Sequence, residues 1–170
     1  MRLLFTLDRM DYDPDTPVLI RPSVRGIIIK DGKIAMVHSL KYDYYKFPGG
    51  GIESGETMEQ ALIREVAEES GLQVIPESVR EYGLVHRVQK DLRGGKFVQD
   101  NYYYLCNTQM TVFSQQLDDY EMEERFTLEF IEPKHGISVN RFGDHGPKDK
   151  TMLEREARVL ELLLKEGYFR

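Results

Sequence analysis

The stretch between residues 44 and 71 constrains this chain most. A short β-prone run, Tyr44-Tyr45-Lys46-Phe47, meets Pro48 and three consecutive glycines, Gly49 to Gly51, and a helical pattern opens a few residues later. Thr57 and Gln60 have capping-box spacing and Gly71 stands where a left-handed residue ends a helix, so the spacing predicts a helix over residues 57–70. With Leu62 set at zero on the helical wheel, Met58 falls near about −40° and Val66 near about +40°, which defines an apolar stripe. Glu69 falls at about −20°, Glu65 at about −60° and Glu68 at about −120°. Three carboxylates therefore crowd the face that should meet a core. A buried charge is costly unless it is paired or coordinated, and like charges three and four residues apart repel. A hard divalent cation among them offsets both effects, because Mg²⁺ and Mn²⁺ take oxygen ligands. The competing reading is a solvated acidic helix. The glycine run leaves its backbone open to the same ion and to phosphate.

The flanks read as strands. Residues 2–7 form a short one, and residues 10–17 a turn-rich connection with two prolines and three aspartates. Residues 24–30 and 33–39 pair as a hairpin through Asp31-Gly32, a dipeptide suited to a type I′ turn. Residues 80–91 and 96–107 form a second hairpin through Gly94-Gly95, and residues 126–131 a further strand. Residues 109–125 read as a polar acidic loop and 132–148 as irregular. A second helix is expected over residues 151–166, stopped at Gly167. Strands, helix, strands and helix in that order indicate one α+β domain over residues 1–170, a mixed sheet sandwiched between helices, with an N-terminal strand and connection over residues 1–20.

Residues 50–72 resemble the Nudix box: Gly50, five residues, Glu56, seven residues, then Arg64-Glu65-Val66-Ala67-Glu68-Glu69-Ser70-Gly71-Leu72, with every fixed position matched. The resemblance implies a MutT-like hydrolase that cuts the diphosphate linkage of a nucleoside diphosphate derivative. It implies that Glu65, Glu68 and Glu69, with the carbonyl of Gly49, hold Mg²⁺ or Mn²⁺. Glu56 would pair with Arg64 and brace the loop, while Gly50 and Gly71 would serve backbone geometry. The general base varies in such proteins. Glu65, Glu68 and a distant acid are the choices here, and the acidic run at residues 118–124 offers Glu121, Glu123 and Glu124. A solvated acidic loop is the plainer reading of that run.

Substrate-binding candidates are weaker. Arg21 and Arg25 flank the first central strand and suit phosphate recognition. Tyr44, with Tyr42 and Tyr45, precedes the glycine run and offers a ring for stacking. Each also reads as an ordinary strand residue. Nothing in the spacing selects Arg87 or Lys90. A net charge of −6 opposes long nucleic acid as a partner and weighs against removal of an RNA 5′ diphosphate. A nucleotide-sensing domain that does not cut is the other alternative, though such domains tend to lose box glutamates. The single cysteine, Cys106, allows no intrachain disulfide. Leu3-Leu4-Phe5 is too short for a targeting segment and no run approaches a membrane span. The expectation is a cytoplasmic protein acting on a small nucleotide-like substrate. The oligomeric state, homodimer included, is left open.

Overall fold

The computed structural model describes residues 1–169, with Met110 in its backbone alone. Five strands form a mixed sheet. β1 (Leu3–Asp8) runs parallel to β8 (Arg80–Lys90), which pairs antiparallel with β9 (Lys96–Leu105). On the far side of β9 lie β2 (Val18–Ile20) and β3 (Ser23–Ile27), both parallel to it. A second, antiparallel sheet places β5 (Lys33–Ser39) between β11 (Phe126–Ile131) and two short partners, β4 (Ile29–Lys30) and β6 (Tyr44–Lys46). The hairpin turn has positive φ at both Asp31 and Gly32, as a type I′ turn requires.

Alternation along these strands sends neighbouring residues to opposite faces and creates two cores. Val24, Ile28, Ala35 and Tyr104 pack with Leu62 and Val66 of α1 (Met58–Ser70). Ile27, Ile34, Met36 and Tyr103 pack with Val159, Leu160 and Leu163 of α4 (Lys150–Lys165). Truncating a fully buried residue such as Leu62 to alanine costs about 2–5 kcal/mol. The sheets are thus sandwiched between helices, in agreement with the expected fold class. Met58 departs from the wheel. It sits in the first turn, exposed, with its sulfur accepting from the Tyr104 hydroxyl.

Three stretches differ from the sequence reading. Residues 109–125 are not one loop. β10 (Thr108–Val112) pairs antiparallel with β7 (Leu72–Val74), and α2 (Asp119–Glu124) follows. Tertiary pairing overrides the polar composition of β10. The acids of α2 satisfy its own N-terminus through a capping box between Asp118 and Glu121. Residues 132–148 are not irregular either, since α3 (Pro133–Phe142) occupies most of them. Pro133 stands in the first turn, where its missing N–H costs nothing. Gly136 is the close-contact point of α3: a Cβ there would lie 2.9 Å from Ile131 Cδ1 and 3.1 Å from Leu160 Cδ1. The short strands β2 and β7 carry no alternation long enough to read.

Asn140 of α3 reaches the outer edge of β6. Its Oδ1 accepts from the Tyr45 N–H at 2.8 Å and its Nδ2 donates to the Tyr45 carbonyl at 2.8 Å. Among the described residues no helix is long and apolar enough to cross a membrane.

Candidate active site

The glycine loop is sewn to the sheet on one side and to α4 on the other. Gly26 N–H donates to the Pro48 carbonyl at 2.8 Å and Val24 N–H to the Gly50 carbonyl at 2.9 Å. Phe47 N–H donates to Glu156 of α4 at 2.7 Å. Gly49 has φ of +142°, and a Cβ on it would sit 2.1 Å from the Val24 carbonyl oxygen, so no other residue fits. Glu156 is buried against Arg155, which donates to it through Nε at 2.7 Å.

Helix α1 presents its carboxylates to this loop in the order that the wheel gives. The Glu69 side chain is 2% exposed, Glu65 15% and Glu68 38%. Glu69 accepts from the Gly49 N–H at 2.9 Å and pairs with Lys46 of β6. Glu65 lies flat against Gly50: a Cβ there would be 2.2 Å from Glu65 Oε2. On the opposite side Arg25 of β3 donates through Nη1 to the Gly49 carbonyl at 2.5 Å, and its buried Nε has no hydrogen-bond partner among the described residues. Arg64 joins the remaining acids. Its Nε and Nη2 hold Glu56 at 2.8 and 2.9 Å, and its Nη1 reaches Glu65 at 2.7 Å and Glu68 at 3.1 Å.

Burial pushes the Glu69 carboxyl up to about 7, against the pull of Lys46 and Arg25. Burial also raises Glu65, opposed by Arg64. The Arg64 hydrogen bonds hold Glu56 down to about 2. One expectation is corrected here. The inward carboxylates do not depend on an external cation for their burial, because Lys46 and Arg64 already pair with them. Among the described residues no three acidic, histidine or cysteine side chains converge as a metal cluster.

The donor set nevertheless suits a hard cation. Every candidate ligand is an oxygen, and burial holds the two deeper carboxylates above their usual range despite the nearby cations. A cation there would displace the Nη1 contacts of Arg64, whose Nε and Nη2 keep Glu56, and would share Glu69 with Lys46.

The other candidates separate. Glu121 is buried and committed to α2, accepting from Asp118 N–H and the Tyr120 hydroxyl, both at 2.9 Å. Glu124 is buried between Tyr44, Ser39 and Lys148, and Glu123 is exposed beside Lys41. Tyr44 is corrected as a stacking residue: its ring is buried against Phe126 and its hydroxyl donates to Glu124 at 2.7 Å, which leaves no face for a ligand. Arg21 is exposed and lines a separate cleft with Arg87 and Lys90. Sequence reasoning missed Lys46. A lone lysine between Tyr45 and Phe47, on a strand about to be buried, was the available signal for Lys46.

A strand–glycine-turn–helix bearing three carboxylates against a mixed sheet defines a fold class that comparison identifies. Residues 19–142 match the NUDIX domain, and the chain belongs to that family. Solved structures share the fold. A MutT structure from a study of Aliivibrio salmonicida and Vibrio cholerae superposes with a TM-score of 0.56 at 18% identity, covering 87% of this chain and 99% of that one. A NUDIX hydrolase from Nitrosomonas europaea gives 0.58 at 16% identity, covering 83% and 90%. Among curated relatives, an ADP-ribose pyrophosphatase of Methanocaldococcus jannaschii is 39% identical over 75 residues, 42% of this chain and 43% of that protein. An RNA pyrophosphohydrolase of Baumannia cicadellinicola is 47% identical over 62 residues, 35% of this chain and 37% of that protein. The chain therefore spans less than half the length of the curated relatives it matches.

Proposed function

We propose that this chain hydrolyses the diphosphate linkage of a small nucleoside diphosphate derivative, releasing a nucleoside monophosphate and a phosphorylated remainder. One observation carries this reading. Glu65 and Glu69 clasp the same glycine turn from the helix side while Arg25 holds its Gly49 carbonyl from the sheet side. The Gly49 carbonyl, Glu65, Glu68 and Glu69 would hold Mg²⁺ or Mn²⁺, which when bound neutralises phosphate charge and lowers the pKa of water.

The chain's own groups supply the rest. Arg25 fixes the loop carbonyl. Glu156 fixes the loop entry through Phe47. Glu68 is the box carboxylate most open to water, so it is placed to take the proton as water attacks phosphorus and the bridging P–O bond breaks. Glu121 is a poorer base, since both its oxygens are occupied within α2. The pyrophosphatase names of the curated relatives support the reaction class, and an RNA 5′ diphosphate is the second reading for the substrate.

The test is release of a nucleoside monophosphate from a panel of dinucleotides and nucleotide sugars, and of pyrophosphate from a 5′-triphosphorylated oligonucleotide, with Mg²⁺, using the wild type, Glu68→Gln and Glu69→Gln. Turnover of a small member that both variants lose supports the reading. Binding without turnover across the panel favours a sensor instead, and turnover of the oligonucleotide alone favours the second reading.

A further inference from the structure

A second concavity lies where the hairpin of β8 and β9 meets β2. Its volume is about 500 Å³, within the range of small-ligand sites. Four basic side chains line it, Arg21, Arg87, Lys90 and Arg93, against two acidic ones, Asp91 and Asp149. That is an inversion of sign in a chain of net charge −6. Both acids are already engaged. Asp149 pairs with Arg87, with Arg9 at 3.9 Å, and accepts from Gln89 at 2.9 Å. Asp91 accepts from the backbone N–H groups of Arg93 and Gly95 at 2.7 and 2.8 Å. Arg21, Lys90 and Arg93 have no ion-pair partner among the described residues. Burial and then the neighbouring Arg155 cation lower the Arg87 guanidinium to about 10. Cations gathered in one cleft repel one another unless an anion lies between them.

The cleft and the glycine turn meet the same strand, β9. Phe97, Gln99, Asn101 and Tyr103 alternate onto one face of β9. Phe97 and Gln99 line the cleft. Asn101 accepts from Ser23, and Ser23 bridges to Gly51. Tyr103 stands opposite Arg25, which holds the Gly49 carbonyl. Buried Arg155 ties the two ends, donating through Nη1 to Gln99 at 3.3 Å and to Asn101 at 2.7 Å. From Gln99 to Tyr103 the strand spans about 13 Å, a separation on the scale of a nucleoside.

We propose that the substrate carries a second phosphate group, remote from the diphosphate linkage, and that Arg21, Lys90 and Arg93 bind it in this cleft. The proposal rests on the hydrolase reading for the position of the reacting end. A small molecule fits better than an RNA, since the cleft is compact and the net charge of −6 opposes a polyanion. The two arginines suit bidentate phosphate contacts.

The test uses a matched pair, ADP-ribose and ADP-ribose 2′-phosphate, which differ by one phosphate. Calorimetry without divalent metal reads binding whether or not turnover occurs, and kcat/KM with Mg²⁺ reads hydrolysis. The expected result is at least about tenfold tighter binding of the phosphorylated member, cut to within about twofold in the Lys90→Ala/Arg93→Ala variant. Both residues lie on or beside an exposed hairpin tip, and circular dichroism checks that the variant folds. Equal affinity in the wild type, failure to bind either member, or a preference that survives in the variant overturns the proposal. Tighter binding of a 5′-triphosphorylated oligonucleotide than of either member also overturns it. A binding preference without hydrolysis sinks the hydrolase reading and leaves this one standing.

Discussion

Arg64 and Glu56 face each other across the glycine loop through two near-parallel hydrogen bonds of 2.8 and 2.9 Å, and Arg64 still has Nη1 to spare for Glu65 and Glu68. A lysine cannot make both sets of contacts, because its ammonium is a point charge without a fork. Arg64→Lys should leave the fold intact and weaken the Mg²⁺ dependence of activity by about 10–100-fold. The measurement is a metal titration of kcat/KM. An unchanged midpoint would show that the fork does not brace the ligands.

The same pair makes a pH prediction. Arg64 holds Glu56 at about 2 in the folded chain, against about 4.3 when unfolded. A depressed folded pKa stabilises above the unfolded value, and that stabilisation disappears as pH falls through the folded one. The stability difference between wild type and Glu56→Gln should therefore be full at neutral pH and vanish between pH of about 4 and about 2. Denaturant melts at a series of pH values read it directly.

Gly49 and Gly50 should respond differently to alanine. At Gly49 the new Cβ meets backbone, the Val24 carbonyl, at a positive φ, so Gly49→Ala should lower the melting temperature markedly. At Gly50 it meets only the tip of Glu65, which can swing aside. Gly50→Ala should fold normally yet lose about 100-fold in kcat/KM, because the carboxylate is displaced. Thermal melts and kinetics on the two variants separate the roles.

Lys46 and Glu69 form a buried pair. Removing the cation alone strands a carboxylate, so Lys46→Met should cost about 3–5 kcal/mol by chemical denaturation. The double variant Lys46→Met/Glu69→Gln should recover most of that loss. A single-variant cost below about 1 kcal/mol would mean that the charge is solvated after all.

Burial pushes the Cys106 thiol up to about 12 with no charged neighbour to lower it. It should resist a disulfide reagent at neutral pH until the protein is unfolded. Reaction of the native chain at the rate of a free thiol would contradict that placement.

Much of this architecture was legible because its signals are local. The caps of α1, the type I′ turn at Asp31-Gly32 and the periodicity of α1 each depend on neighbours within a few residues. The wheel even ranked Glu69, Glu65 and Glu68 by depth. What was not legible depends on partners far along the chain. α3 looks broken by Pro133 and Gly136 until Leu160 is seen to need the space at Gly136. Tyr44 looks available until Glu124, 80 residues away, is seen to hold its hydroxyl. The cleft cations come from two segments far apart in the chain, so no spacing rule groups Arg21 with Lys90 and Arg93.

The amide of Asn140 does for one residue of β6 what a whole neighbouring strand does for an edge. Exposed strand edges invite a second chain to add itself, and from there to propagate. By occupying both main-chain groups of Tyr45, this one side chain closes that doorway. The margin beside the glycine turn is thereby shielded from self-recruitment without the cost of another strand.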